Sequence, residues 1–324
     1  FFKPSEGGLA TGLGSIYKEG ENLWIGWPGL PVKRQDEKTR ISEALTEESM
    51  VPVFLSKKLI KDFYEGLCNA TIWPVFHYFL QHAVYEQAFF DAYVEANKKY
   101  LEVLLTVANP DDTIWVHDYH LMLLPSMIRE KLPNATIGFF LHIPFPSFEV
   151  FRMVPWRKDI LKGILGADLI GFHTYDDTRH FLSSVNRLVG IPNTHGRINN
   201  GSRIIEVDSF PMGIDYQKYA LSAASPKTLD QEIKYRAFLG DQQLILSIDR
   251  LDYSKGIPKR LEAFESFLEL YPEYEEKVSL ILVVVPSRDT VGQYRELKEE
   301  VDLLVGRING KYGRINWTPV HYFY

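Results

Sequence analysis

Short apolar runs alternate with longer amphipathic segments along this chain, and this alternation constrains its fold more than any other feature. The runs are nearly continuous in Val, Ile, Leu and Phe, which is typical of strands covered on both faces of a parallel sheet. The segments between them show helical spacing, so the order predicts a doubly wound α/β protein. We predict strands at 113–117, 136–142, 168–172, 204–210, 244–249 and 279–285, and helices at 85–107, 175–189 and 258–271.

The alternation breaks between residues 213 and 240, where a polar stretch includes Ser222, Ser225 and Pro226. A chain of 324 residues is long enough for about two domains. We therefore predict one domain over 1–222 and another over 223–324. The second domain holds only about two predicted strands, fewer than an open doubly wound sheet usually has. We expect it to be incomplete in this chain.

Charge and composition exclude several classes of protein. The formal net charge of −6 argues against nonspecific binding to nucleic acid or to an anionic membrane, since both need a basic surface. Cys68 is the single cysteine, which excludes an internal disulfide and a zinc site with several thiolates. No apolar run approaches the ~18–20 residues of a membrane span, and the first residues lack a signal-peptide pattern. These features predict a soluble, cytoplasmic protein.

Two basic residues, Arg250 and Lys255, flank a loop between a predicted strand and a predicted helix. Gly256 permits a tight turn, and Pro258 suits the first turn of a helix. Ligands of open α/β sheets bind at the carboxyl ends of the strands, and helix N-termini favour phosphate. The pair therefore fits a pyrophosphate site. The loop is not a Walker motif, and two solvated surface cations are the alternative interpretation.

Asp118 follows another predicted strand and lies between His117 and His120. These three side chains could ligate a metal, but their spacing matches no known zinc helix. The alternative is that Asp118 accepts hydrogen bonds from a sugar-like hydroxyl while the histidines support the turn. His142 ends the next predicted strand, so it would open onto the same crevice as Asp118. A purely structural role for His142 is the competing interpretation.

Weaker signals lie elsewhere in the chain. Gly7 and Gly8 could bring backbone N–H groups close to a phosphate, although paired glycines are common in structural turns. Arg288 follows the last strong strand and is either a further phosphate ligand or an ordinary surface residue. Aromatic side chains stack well on sugar rings but usually belong to a core. Those near the N-terminus are Trp24, Trp27, Tyr64 and Trp73.

Several strings of residues, taken together and in order, resemble the trehalose-6-phosphate synthase family of retaining glucosyltransferases (glycosyltransferase family 20). The resemblance runs over nearly the whole chain, and the strings are more specific together than any one alone. They are residues 5–9, 24–27, 73–78, 117–121, 140–146, 250–256 and 307–313.

The resemblance implies a GT-B fold, in which two Rossmann-like, doubly wound domains face each other across a cleft. The N-terminal domain would bind the acceptor and the C-terminal domain the donor. The implied reaction moves glucose from UDP-glucose to glucose 6-phosphate with retention, and needs no metal and no cofactor. By matching motif, the donor contacts would be Gly7, Gly8, His142, Arg250 and Lys255. The acceptor contacts would be Trp27, Tyr64, Trp73, Asp118 and Arg288, and the catalytic set Asp118, His142, Arg250 and Lys255.

The chain also departs from the family pattern. It has no counterpart of the family's first strand, with its acceptor-phosphate arginine, or of a later acidic segment that contacts the donor. Phe90 stands where the family has a tryptophan. The resemblance therefore implies a fragment of a synthase, with a homo-oligomer as one option for its assembly. Two alternatives stay open: a synthase with another acceptor, such as a glucosylglycerol-phosphate synthase, and a non-catalytic, regulatory sugar-phosphate-binding homologue.

Overall fold

The computed structural model describes residues 12–13, 22–201, 203–287 and 292–324. The chain divides into two compact units, the first ending at Ile214 and the second beginning at Asp215. The boundary predicted between residues 222 and 223 lies within a helix, Tyr216–Ala223. One of the polar residues at this break is a helix cap, because the hydroxyl of Ser225 accepts a hydrogen bond from the first turn of the following helix.

The first unit contains a two-stranded and a six-stranded sheet. Strands β1 (Trp24–Gly26) and β2 (Met50–Pro52) pair in parallel. The larger sheet consists of β3 (Thr113–His117), β4 (Thr136–Phe140), β5 (Leu169–Phe172), β6 (Asn193–Thr194), β7 (Arg197–Asn199) and β8 (Ile204–Ser209). Its order is β3-β4-β5-β8-β7-β6. The first four of these are parallel, and β6 and β7 add an antiparallel hairpin.

Helices alternate with the strands of this unit, as the sequence predicted. The predicted helix over 175–189 is confirmed at both ends, since the Thr174 hydroxyl caps its start and Gly190, at φ 80°, ends it in the left-handed region. The helices are α1 (Gln35–Thr46), α2 (Lys57–Ile60), a π-helical stretch (Lys61–Ile72), α3 (Trp73–Phe76), α4 (Gln87–Val107), α5 (Leu124–Lys131), α6 (Phe148–Phe151), α7 (Arg157–Ile164) and α8 (Tyr175–Val189).

A cluster of buried phenylalanines anchors the loop after β4. Phe145 packs on Phe151 and Phe181, with ring centroids 4.8 and 5.4 Å apart. Its backbone N–H donates to the Asp177 carboxylate at 2.8 Å, which ties the loop to α8. Each such ring buries roughly 150–250 Å². Since His142 lies in the same loop, this packing fixes the main chain next to a predicted site residue.

The second unit has a parallel sheet of order β11-β10-β9. Its elements are α9 (Tyr216–Ala223), α10 (Pro226–Leu239), β9 (Gln243–Arg250), α11 (Ile257–Leu270), β10 (Val278–Val285), α12 (Gly292–Tyr312) and β11 (Val320–Phe323). The sequence analysis missed β11, so its count of about two strands was low by one. The missed strand is short, and Val320 is its one fully buried residue.

The core of this unit lies between one face of the sheet and helices α11 and α12. Leu280 and Leu282 of β10 belong to it. On β9, however, Leu246 and Ile248 remain 64% and 60% exposed. The prediction that both faces of β9 are covered is therefore wrong for the described residues. A continuous apolar run does not by itself show on how many faces a strand is packed.

No helix in the described ranges is both long and apolar enough to cross a bilayer.

Candidate functional site

Three histidines lie at the carboxyl edge of the larger sheet. His117 is the last residue of β3, His142 follows β4, and His173 directly follows β5. The ring centroids of His117 and His142 are 5.3 Å apart, and those of His142 and His173 are 5.6 Å apart. The sequence analysis did not identify His173. Its one signal was its position after a predicted strand, next to the strand that precedes His142.

The rings of His117 and His142 are joined by a hydrogen bond, with Nδ1 of His117 3.1 Å from Nε2 of His142. Burial lowers the pKa of His117 to about 4. Burial, and then the neighbouring His117 and His173, lower the pKa of His142 to about 3. Both rings are therefore neutral near pH 7, and the two facing nitrogens share a single proton.

Asp118 connects the end of β3 to the loop that carries His142. Its own backbone N–H donates to the Phe140 carbonyl at 2.7 Å, and its carboxylate accepts a hydrogen bond from the backbone N–H of His142 at 3.2 Å. The residue adopts φ 70° and ψ 171°, a backbone conformation that is essentially restricted to glycine and that, in other residues, is often found at functional sites. Its second carboxylate oxygen lies 3.8 Å from Nδ1 of His120.

Rings connect His120 to all three aromatic residues predicted to bind the acceptor. His120 stacks on Tyr64 at 5.6 Å and 13°, and Tyr64 contacts Trp27 at 5.4 Å. On its other side His120 contacts Tyr119 at 4.0 Å, and Tyr119 contacts Trp73 at 5.8 Å. We call these five residues the aromatic chain. The structure thus brings Trp27, Tyr64 and Trp73 together, through two residues to which the sequence analysis gave no such role.

Buried polar groups hold the aromatic chain in place. Tyr93 of α4 donates its hydroxyl hydrogen to the Tyr119 carbonyl at 2.7 Å and accepts from the Met122 N–H at 2.9 Å. Burial raises the pKa of Tyr93, so the hydroxyl stays protonated and keeps this donor role. Tyr64 lies on the π-helical stretch, and its carbonyl accepts from the Asn69 amide at 2.8 Å. π-Helical geometry is rare, and where it occurs it is frequently found at functional sites.

The predicted cationic loop has the expected form in the second unit. Arg250 is the last residue of β9, and Lys255 ends a 3₁₀ turn, Tyr253–Lys255. Gly256 follows at a φ of 63°, a conformation that glycine adopts at little cost, and α11 then begins. Both basic side chains are exposed, and within the described part of the chain neither forms an ion pair.

Hydrogen bonds with two side chains, Asp252 and Arg260, hold the main chain of this loop. Asp252 is fully buried, and its carboxylate accepts from the Ser254 N–H at 2.9 Å and from the Tyr294 hydroxyl at 3.3 Å. Arg260 of α11 donates to the Lys255 carbonyl at 3.2 Å. The loop therefore presents two exposed cationic side chains on a fixed backbone. Such a surface can accept an anion without paying to reorganise its main chain.

Other predicted features have different outcomes. Gly7, Gly8 and Arg288 lie outside the described residues. Phe90 is buried and stacks on Trp156 at 4.8 Å and 2°. Among the described residues, no group of three or more His, Cys, Asp or Glu side chains is arranged to hold a metal ion. In the string 307–313, Asn309 pairs with both backbone groups of Val320 at 2.9 Å, which is a structural role.

Comparison with known sequences identifies a family over the whole chain. The family model described as glycosyltransferase family 20 matches residues 1–324. Alpha,alpha-trehalose-phosphate synthase (UDP-forming) A of Dictyostelium discoideum is 44% identical over 323 residues. The match covers 99% of this chain but 44% of the Dictyostelium protein, so the chain spans less than half the length of that relative.

Solved structures are similar over the same extent. A Burkholderia xenovorans alpha,alpha-trehalose-phosphate synthase (UDP-forming) in complex with glucose-6-phosphate has a TM-score of 0.86 at 30% identity, over 99% of this chain and 72% of its own. An Escherichia coli structure bound with UDP-2-fluoro glucose has a TM-score of 0.87 at 33% identity, over 100% of this chain and 71% of its own. These similarities confirm the predicted α/β, GT-B class of fold.

Proposed function

The chain belongs to glycosyltransferase family 20, and on that premise we propose that the full-length protein makes trehalose 6-phosphate and UDP from UDP-glucose and glucose 6-phosphate. The observation that carries this proposal is the loop after β9, which holds Arg250 and Lys255 on a fixed backbone at the carboxyl edge of a parallel sheet. The names of the relatives support UDP as the leaving group and a sugar phosphate as the acceptor.

The donor contacts follow from the chemistry of each group. Arg250 and Lys255 suit the diphosphate, since each charge-assisted hydrogen bond contributes about 1.5–3 kcal/mol. The neutral His142 suits a hydroxyl of the glucosyl group, because it offers a directional hydrogen bond without adding charge. Gly7 and Gly8 complete the donor set that the family motif suggests.

The aromatic chain and Asp118 suit the acceptor. Rings of Trp27, Tyr64 and Trp73 can lie against the apolar faces of a sugar, and the Asp118 carboxylate can accept from its hydroxyls. The hydrogen bond from the His142 backbone N–H orients this carboxylate. Arg288, from the family motif, is proposed as a ligand of the acceptor phosphate.

The proposed chemistry is transfer with retention. The bond between the anomeric carbon and the UDP oxygen breaks, and the electron pair leaves with the diphosphate. Arg250 and Lys255 stabilise the negative charge that develops there, an electrostatic role similar to an oxyanion hole. The anomeric hydroxyl of glucose 6-phosphate attacks the oxocarbenium-like carbon from the same face and passes its proton to the departing phosphate. Neither a protein nucleophile nor a metal or cofactor takes part in this sequence.

We further propose that the protein works in the cytoplasm. The sequence has a single cysteine, Cys68, so it cannot form an internal disulfide of the kind typical of an oxidising compartment. The proposed substrates of the protein are a sugar nucleotide and a sugar phosphate. Both are charged and do not cross membranes unaided, so the enzyme that uses them is proposed to work in the compartment that contains them.

The direct test is a product assay with the full-length protein. UDP-glucose is incubated with glucose 6-phosphate or with glycerol 3-phosphate, and the product is identified by NMR together with UDP release. We expect an α,α-linked trehalose 6-phosphate and little product with glycerol 3-phosphate. Preferred transfer to glycerol 3-phosphate would replace the acceptor assignment. Binding of both substrates without turnover would favour the non-catalytic alternative.

A further inference from the structure

His117 has no role in the proposal so far, yet it makes the one hydrogen bond to the ring of His142 that the described residues provide. Its Nδ1 lies 3.1 Å from Nε2 of His142. Among the described residues, no protein group bonds to Nδ1 of His142, so that nitrogen is available to a ligand. His117 is also half-buried at the end of β3, which restricts its own orientation.

We propose that His117 is a positioning residue, which holds the imidazole of His142 in one tautomer and one orientation toward the glucosyl group of the donor. The inference rests on the proposed function, because it assumes that His142 contacts the donor. It assigns His117 no contact with substrate.

The facing nitrogens of His117 and His142 share one proton. A neutral imidazole carries one N–H, so one of the two facing nitrogens must donate and the other must accept. If His117 donates, His142 carries its own proton on Nδ1 and offers a donor to the ligand. If His142 donates, its Nδ1 offers a lone pair instead. In either case the bond to His117 determines what His142 presents, since the tautomer of a histidine is set by the partner of its other nitrogen.

The other neighbours of His142 cannot select the tautomer in this way. Phe140 contacts the ring at a centroid distance of 4.7 Å and His173 at 5.6 Å, and both are ring contacts without a hydrogen bond. Asp118 bonds to the backbone N–H of His142 and not to its ring. The adjacent residues His117 and Asp118 thus control the ring and the main chain of His142 separately.

Kinetics can separate these roles in the full-length protein. His117→Leu removes the hydrogen bond at similar volume, and His117→Asn keeps a polar group near the position of Nδ1. We expect His117→Leu to raise the KM for UDP-glucose about tenfold, the effect of one lost hydrogen bond, with the KM for glucose 6-phosphate changed less than twofold. His117→Asn should recover most of that loss. His195→Asn is the control for histidine removal, because His195 lies in an exposed turn at a φ of 50° that asparagine tolerates.

Nitrogen-15 NMR of the histidine side chains gives a readout that a merely structural role would not move. In the parent protein His142 should show a single neutral tautomer, and in His117→Leu a mixture of the two. An unchanged single tautomer of His142 in His117→Leu would overturn the inference. A mixture of tautomers in the parent protein would overturn it as well, and this measurement requires no variant. If the parent shows no glucosyl transfer, the proposed function fails, while the tautomers still decide the positioning role of His117.

Discussion

His117, His142 and His173 form what we call the histidine edge of the first unit, and Arg250 and Lys255 belong to the cationic loop of the second unit. The two regions occupy equivalent positions in their sheets but differ in burial and in charge. Each lies at the carboxyl edge of a parallel sheet, directly after a strand. His117 and His142 are half-buried, neutral and bonded to each other. Arg250 and Lys255 are exposed, and hydrogen bonds hold the backbone of their loop and not their side chains.

The difference reflects the range of the forces involved. A hydrogen bond from a neutral ring depends steeply on distance and angle, so its donor must be oriented by neighbours. A charge acts over several ångströms, and a flexible side chain can adjust to its partner. The account therefore assigns orientation of the donor sugar to the histidine edge and charge stabilisation to the loop. Changes in the two regions should have different kinetic consequences.

The largest expected effect is on the loop. Lys255→Ala in the full-length protein should lower kcat by about 10²–10³, because the developing charge on the diphosphate loses a cationic partner. Lys259→Ala is a matched control, since Lys259 is an exposed cation one turn further along and pairs with Glu262 at 2.7 Å. Steady-state kinetics should show a normal kcat for the control. Equal kcat values for Lys255→Ala and the parent would contradict the assignment.

A second effect tests whether the loop depends on its buried carboxylate. Asp252→Ala leaves the Ser254 N–H and the Tyr294 hydroxyl without this acceptor, so we expect the free energy of unfolding to fall by about 1–3 kcal/mol. Urea unfolding monitored by circular dichroism measures the change. Asp230→Ala is the control, because Asp230 forms an exposed pair with Lys234 at 2.7 Å, which is worth about 0–1 kcal/mol. Similar losses in both variants would mean that Asp252 does not hold the loop.

The smallest effect concerns pH and belongs to the histidine edge. The folded pKa values of about 4 and about 3 lie below the ordinary 6.5, so the unfolded chain binds protons that the folded chain does not. The free energy of unfolding should therefore fall as the pH drops from 6.5 toward 4. His117→Asn removes one of these groups, and urea titrations should show a shallower fall than in the parent or in His195→Asn. The same slope in all three proteins would argue against buried, neutral rings.

What the sequence predicted well was local. The loop around Arg250 and Lys255 follows from neighbouring residues, since a strand end, a glycine and a helix start are all visible in one short string. The four parallel strands β3, β4, β5 and β8 were likewise predicted from their apolar runs.

What it missed depends on contacts between distant residues. Nothing near His120 indicates that it stacks on Tyr64 from another element, and the one signal for His173 near His142 is its position after a predicted strand. The π-helical stretch that carries Tyr64 has no spacing signal that separates it from an α-helix. The exposed face of β9 shows the same limit, because packing partners decide burial and the run itself does not.

The central claim is that the loop after β9 binds the diphosphate of the donor, and a calorimetric titration with UDP tests it most directly. The full-length parent, Lys255→Ala and Lys259→Ala are titrated under the same salt conditions. The account predicts that Lys255→Ala binds UDP about 10–100-fold more weakly than the parent and that Lys259→Ala binds it as the parent does. Equal affinity of Lys255→Ala and the parent for UDP would contradict the claim.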